Sequence, residues 1–185
     1  INAMKHDYDT IVIGAGNAGL AATGKVHAAG KPVAVIERAE IGGTCPIRGC
    51  VPKKVLVAAA QSLDQINRAG THHIDVATAT IDWPKLVARE QSFIDGVPDE
   101  FSASLKQRGI EVIEGEAKFS SPNTIKVNGR ELSADTFVIA TGSVPRPLAI
   151  PGGEALMTSN DLLNMQTLPK SIAFIGGGVI ALEFA

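Results

Sequence analysis

Thr10-Ile11-Val12-Ile13-Gly14-Ala15-Gly16-Asn17-Ala18-Gly19 decides how the rest of the chain is read. Its first four residues are an apolar run of strand length, and glycines 14, 16 and 19 follow directly. Leu20 to Ala29 then reads as a small-residue helix, closed by Gly30 as its C-terminal cap. Pro32-Val33-Ala34-Val35-Ile36 is a second buried strand, and Glu37 follows it. Together these make one βαβ unit of roughly thirty residues. Between a strand and a helix, Gly-x-Gly-x-x-Gly is a dinucleotide fingerprint. The first glycine makes the tight turn, the second lets the backbone meet a pyrophosphate, and the third allows close helix–strand packing. The helix N-terminus adds unpaired N–H groups and a positive dipole end. Glu37 stands where an acid binds a ribose hydroxyl pair. A glycine-rich turn without a ligand needs neither this context nor this acid. The pattern alone does not separate FAD from NAD.

Beyond this unit, the spacing predicts a helix from about Val51 to Ala69 and a second helical region from about Asp82 to Gln107, interrupted near Gly96 and Pro98. The period then changes. Residues 110–113, 117–119, 124–127 and 130–132 are short strand candidates, and Asn128-Gly129 is the best hairpin turn in the chain. Thr136-Phe137-Val138-Ile139-Ala140 is another buried strand, ending in Thr141-Gly142-Ser143. Pro145, Pro147, Pro151 and Gly152-Gly153 make a stiff linker. After it, Ser171-Ile172-Ala173-Phe174-Ile175 leads into Gly176-Gly177-Gly178-Val179-Ile180, so the strand-plus-glycine unit starts again. We therefore expect a fragment whose second domain has barely begun: a domain over 4–150, a linker over 151–170 and the start of another domain over 171–185. Ile1-Asn2-Ala3 before Met4 reads as an expression scar.

Composition excludes several classes. With 45% hydrophobic and 19% charged residues, the chain of 185 residues is far too apolar to be disordered. A net charge of -2 without a block of like charge argues against nucleic-acid or membrane-surface partners, which need a basic face. The longest apolar run, Val55-Leu56-Val57-Ala58-Ala59-Ala60, falls well short of the ~20 residues of a membrane span. No secretory signal is expected, and the class is a cytoplasmic α/β domain. His6, His27, His72 and His73 form no cluster that suggests catalysis.

The two cysteines, Cys45 and Cys50, lie five positions apart within Gly42-Gly43-Thr44-Cys45-Pro46-Ile47-Arg48-Gly49-Cys50-Val51-Pro52-Lys53-Lys54. That spacing permits a disulfide within usual Cα distances. Pro52 suits a first helical turn, which places Cys50 near a helix N-terminus, where the dipole and Arg48, Lys53 and Lys54 favour a thiolate. A structural staple is out of place in a cytoplasmic chain with a sufficient core. A zinc site lacks two well-placed ligands, since adjacent His72 and His73 point apart. Two unrelated thiols leave the flanking glycines and cations without a purpose. A redox-active pair explains all of them.

These segments resemble the redox box of the class I pyridine nucleotide-disulfide oxidoreductases, the family of glutathione reductase, dihydrolipoamide dehydrogenase and mercuric reductase. The fingerprint at 14–19, Glu37-Arg38, Ala140-Thr141-Gly142-Ser143 and the second fingerprint at 176–183 are further marks of that family, in its order. The resemblance implies a Rossmann-type FAD-binding domain with a β-meander, then the first strand and helix start of a Rossmann-type NAD(P)-binding domain. It implies that Gly14, Gly16, Asn17, Ala18 and Gly19 hold the FAD pyrophosphate, Glu37 the adenosine ribose, and Arg38 the flank of the adenine. Gly42, Gly43 and Thr44 then contact the ribityl–phosphate portion, while Ala117, Ala140, Thr141 and Gly142 line FAD by backbone. Gly176, Gly178, Val179 and Ile180 fall to NADH or NADPH. Cys50 matches the thiol that stacks on the isoalloxazine, and Cys45 the interchange thiol that attacks the substrate. A lysine near flavin N5 is implied at Lys53 or Lys54, paired with Glu183 returning across the domain boundary.

The implied enzyme passes electrons from NAD(P)H through FAD to the Cys45–Cys50 disulfide, and on to a disulfide, dithiol or metal-ion substrate; the dihydrolipoamide branch runs in reverse. A homodimer is implied for the full-length protein, and the fragment alone is expected to be inactive. Three departures leave the substrate open. Pro46-Ile47-Arg48 replaces the usual asparagine of the box, Gly24 stands where glutathione reductases tend to carry an arginine, and Val179 stands where they commonly have a tyrosine. Lys53-Lys54 points the other way, toward the glutathione reductase branch. Two rivals are a flavin-binding module without turnover and a single-cofactor NAD dehydrogenase. The cysteine box and the repeated fingerprint count against the second.

Overall fold

Ile11 and Val12 are fully buried, and so are Val33 to Ile36, which is the pattern of parallel strands covered on both faces. The computed structural model, which describes residues 6–185, places them in β1 (Tyr8–Ile13) and β2 (Val33–Glu37), joined by α1 (Asn17–Ala28). The stretch read as an expression scar and Met4, the expected domain start, lie outside the described residues. α1 uses small residues to lie close to the sheet: Thr23 is fully buried and its hydroxyl donates to Gly19 O at 2.8 Å.

One six-stranded sheet runs in the order β3-β2-β1-β6-β5-β4. Here β3 is Glu111–Glu114, β4 Lys118–Ser121, β5 Thr124–Val127 and β6 Arg130–Ile139. β3, β2, β1 and β6 pair in parallel, whereas β6, β5 and β4 form an antiparallel meander. The separate strands expected at 130–132 and 136–140 are one strand. Its first residues pair with β5, and from Ala134 onward it pairs with β1 through Tyr8↔Ala134. Across Ser133-Ala134-Asp135 the ladder passes from one neighbour to the other without interruption. Asp7 secures the hand-over by accepting from Ser133 N and Oγ, both at 2.8 Å.

Alternation along the strands divides the core. Ile11, Ala34, Ile36 and Ile113 pack with Ile125, Val127, Leu132 and Ala134 from the meander side. Val12, Val33 and Val35 face the other way, onto α1 and onto Leu105 of α5 (Val97–Gln107).

The chain divides into two compact units. The first comprises the residues up to Cys45 together with Gly96–Val144, and holds the whole sheet, α1 and α5. The second comprises Pro46–Asp95 and Pro145–Ala185. In it α3 (Cys50–Arg68) packs on α4 (Trp83–Gln91). α4 is capped by Asp82, which accepts from Lys85 N, and Trp83 Nε1 donates to Met165 O at 2.8 Å, beyond the short helix α6 (Ser159–Leu163). Thr44–Arg48 forms a short helix, α2, which includes Cys45 and ends before Cys50. Residues 171–175, read as the first strand of a second domain, form no strand; Ile172, Phe174 and Ile175 are exposed. A strand needs a neighbour for its N–H and C=O groups, and none of the six described strands pairs with this segment. The helix expected after it is present as α7 (Val179–Phe184).

Candidate functional site

In the first unit, the C-terminal ends of β1, β2 and β6 converge on the glycine loop. Gly14 N–H continues the sheet by donating to Ile36 O at 2.8 Å, and Ala140 N–H donates to Ile13 O at 2.8 Å. Gly14 has φ +105, and a Cβ there would lie 2.3 Å from Ala140 O. A Cβ on Gly19 would lie 1.7 Å from Gly14 O, so the start of α1 is pressed against the turn. Gly43, at φ +70, meets Gly16 backbone to backbone: its Cβ would stand 2.7 Å from Gly16 Cα. Gly42 N–H donates to Ala15 O at 2.9 Å and completes the join.

Gly16 is different. Its backbone is extended, with φ -81 and ψ -172, and a Cβ there would meet only Gly43 Cα at an ordinary 3.8 Å. Among the described residues nothing requires glycine at this position, and the space beside it leaves room for a ligand to approach the backbone. As N-cap, Gly16 offers no side chain to the first turn of α1, and that turn carries no acidic residue. Its N–H groups remain available to an anion, and the helix dipole favours one there. A pyrophosphate fits this cradle.

Glu37 is held from both sides. Ala15 N–H donates to its Oε2 at 2.7 Å and Ala39 N–H to its Oε1 at 2.9 Å. A carboxylate has about four acceptor sites, so lone pairs remain for a pair of ribose hydroxyls. Arg38 and Thr44 are exposed, Thr141 and Gly142 continue from the end of β6 at the surface, and Ala117 is half-buried against the meander core. The first unit thus gathers Gly14, Gly16, Asn17, Ala18, Gly19, Glu37, Gly42, Gly43 and Ala140 at the C-terminal ends of the central strands. Cys45, half-buried, is the second residue of α2.

In the second unit, Cys50 is the exposed first residue of α3. The N-cap is Gly49, no acidic residue follows in the first turn, and Pro52 is buried there. The helix end therefore favours a thiolate at Cys50. Lys53, one turn on, makes an ion pair with Glu183 of α7 at 2.6 Å, its side chain only 16% exposed. Lys54 is exposed. Spacing left the two lysines equal, and the fold separates them. Gly176, Gly178, Val179 and Ile180 are exposed around the start of α7.

Two perturbed groups stand apart from these residues. Burial, then the hydrogen bond to Glu111, pushes the Tyr8 phenol up to about 12, at the opposite end of β1. Glu90 of α4 is fully buried; Oε2 accepts from Gln91 Nε2 at 2.9 Å, while Oε1 has no hydrogen-bond partner among the described residues. Burial raises its carboxyl above the usual range. Among the described residues no three His, Cys, Asp or Glu side chains are grouped to hold a metal ion, and no helix is long and apolar enough to cross a membrane.

Residues 8–185 match the family described as pyridine nucleotide-disulphide oxidoreductase. The chain belongs to this family. It is 36% identical over 182 residues to a glutathione reductase of Burkholderia cepacia and 37% identical to a glutathione reductase of Nostoc sp.. It is also 35% identical over 186 residues to a dihydrolipoyl dehydrogenase of Chlamydia pneumoniae. Each match covers 98% of this chain and 40% of the relative, so the chain spans about two fifths of their length. The glutathione reductase and dihydrolipoamide dehydrogenase families use FAD and NAD(P)H. The glycine cradle and the doubly held Glu37 fit the adenine dinucleotide portion of such a cofactor.

Proposed function

We propose that the chain is the FAD-binding and thiol-bearing part of a flavin-dependent disulfide oxidoreductase. The observation that carries this reading is Gly16, a glycine that neither backbone angle nor packing demands, at the mouth of a loop backed by a fixed carboxylate. Gly14, Gly16, Asn17, Ala18 and Gly19 bind the pyrophosphate, Glu37 the ribose, with Arg38 at the adenine. Gly42, Gly43, Thr44, Ala117, Ala140, Thr141 and Gly142 complete the FAD contacts. When bound, FAD supplies two-electron transfer between a nicotinamide dinucleotide and a pair of thiols. The second fingerprint, with Gly176, Gly178, Val179 and Ile180, serves NADH or NADPH.

The thiol chemistry belongs to Cys45 and Cys50. As a dithiol pair, the Cys45 thiolate attacks a substrate disulfide, forms a mixed disulfide and releases one substrate thiolate, which takes a proton. Cys50, kept as thiolate by the α3 terminus, then attacks the Cys45 sulfur. The second substrate thiolate leaves and the Cys45–Cys50 disulfide closes. A dithiol substrate runs the same exchange backwards. Glu183 orients the Lys53 ammonium beside the reacting groups, and Lys54 plays no part in that pair. The homodimer implied by the resemblance and the cytoplasmic setting expected from composition go with this reading.

A second reading, carried by the glycine loop and Glu37 without the cysteines, is a flavin-binding module that does not turn over. An anaerobic titration with a small dithiol, followed in the visible spectrum, separates the two. The relay gives flavin bands with a long-wavelength charge-transfer shoulder that is lost in Cys50→Ser. Flavin bands without that shoulder leave the binding module and sink the thiol relay.

A further inference from the structure

Behind Glu37 lies a contact that neither the fingerprint nor the cysteine box accounts for. Asn128 occupies the left-handed position of the β5–β6 turn, at φ 48, followed by Gly129 at φ 77. A two-residue turn of this kind needs only positive φ at both positions, which glycine or aspartate also supplies. The Asn128 side chain does something the turn does not require. Its Nδ2 donates to Glu114 O at 2.6 Å, at the end of β3. The amide and the Val127 side chain also close on Gly115, where a Cβ would stand 2.7 Å from Asn128 Oδ1 and Val127 Cγ2 and 2.8 Å from Asn128 Nδ2. Gly115 has φ +144, so this position is closed to a side chain by conformation as well as by space.

From there the contacts run directly to the nucleotide loop. Gly115 N–H donates to Glu37 O at 2.7 Å, and Glu37 pairs with Glu114 in the ladder. The Glu37 carboxylate in turn receives Ala15 N–H from the glycine loop. One amide therefore fixes the backbone that fixes the acid. The same backbone leads through Glu116 to Ala117, the residue before β4 that the proposed function gives to the cofactor.

We propose that Asn128 is a positioning residue for the adenosine end of the dinucleotide site, acting through Glu114 and Gly115 on Glu37. The inference rests on the FAD reading above. Without the amide, the 114–117 segment loses its anchor and Glu37 samples positions from which it cannot accept both ribose hydroxyls.

The test is a double-mutant cycle on FAD affinity, read by quenching of flavin fluorescence, with thermal melting of the cofactor-free chain alongside. Asn128→Gly keeps the left-handed turn free of strain and deletes only the amide. Asn128→Asp keeps the turn and removes the donor, and serves if the glycine variant does not fold. Losing one positioning hydrogen bond is expected to raise the FAD dissociation constant about three- to tenfold in the native background. With Glu37→Gln in place, the same change is expected to cost less than about twofold, because the pathway it acts through is already cut. Equal shifts in both backgrounds would mean general loosening and would overturn the proposal, as would no shift at all. A native chain that binds no FAD would overturn the reading of the site itself. A native chain that binds FAD, with Asn128 variants that bind equally well, would overturn this inference alone.

Discussion

Two glycine loops, Gly14 to Gly19 and Gly176 to Gly178, begin from similar sequence and end as different physical objects. In the first, three walls press on the backbone: Ala140 O at the end of β6, Gly14 O against the start of α1, and Gly43 against Gly16. A side chain at Gly14 or Gly19 would collide with main-chain atoms, which cannot swing aside. In the second, a Cβ at Gly176, Gly177 or Gly178 would meet nothing within 4 Å, and only Gly176, at φ +109, needs glycine for its conformation. A fingerprint is thus made into a rigid cradle by the strands around it. Within a rigid cradle, the one glycine without an internal reason is the one that points to a ligand.

The largest effect that would sharpen this contrast is at Gly14. Gly14→Ala combines a left-handed φ with a clash against main chain, and is expected to destabilise the first unit by about 3 kcal/mol or more. Thermal melting would show it as a lowered transition, and a melting curve like that of the native chain would remove the first wall from the account. Glu90→Gln should act in the second unit and in the opposite direction. Burial raises the folded-state value of this carboxyl, so the fold prefers it neutral. Its contribution to stability is full below the ordinary value of about 4.3 and is lost as pH rises through the raised value. The native chain should therefore lose stability relative to Glu90→Gln as pH rises from that ordinary value through the raised one. Parallel melting profiles across that range would contradict the assignment. The smallest effect belongs to the second loop, where Gly178→Ala is expected to change stability by less than about 0.5 kcal/mol. A large loss there would show that the two loops are equally constrained.

The local part of this architecture was legible in the sequence, and the non-local part was not. β1, α1 and β2 announce themselves through a buried run, a small-residue helix and a second buried run, because each is decided by neighbours in the chain. Cys50 at a helix start was readable from Pro52 for the same reason, and the Asn128-Gly129 turn from its preference for positive φ. β6 was not readable as one strand, since its continuity depends on passing from β5 to β1 at Ala134. Residues 171–175 have the composition of a buried strand but no ladder partner among the described residues, and composition alone does not make a strand. The choice of Lys53 over Lys54 needed Glu183, far along the chain. Asn128 was read as a turn residue, and its hold on Glu114 became visible only when β3 and the hairpin were seen side by side.

Gly16→Ala tests the central claim most directly, with FAD affinity and the melting temperature of the cofactor-free chain measured on the same sample. Because a Cβ at Gly16 has room inside the protein but would stand, on the proposed reading, where the pyrophosphate meets the backbone, melting should stay within about a degree or two of the native chain. FAD affinity should fall by about tenfold or more, a loss of at least ~1.4 kcal/mol in binding. Unchanged affinity would contradict the account, since the loop would then be a turn and not a cofactor cradle.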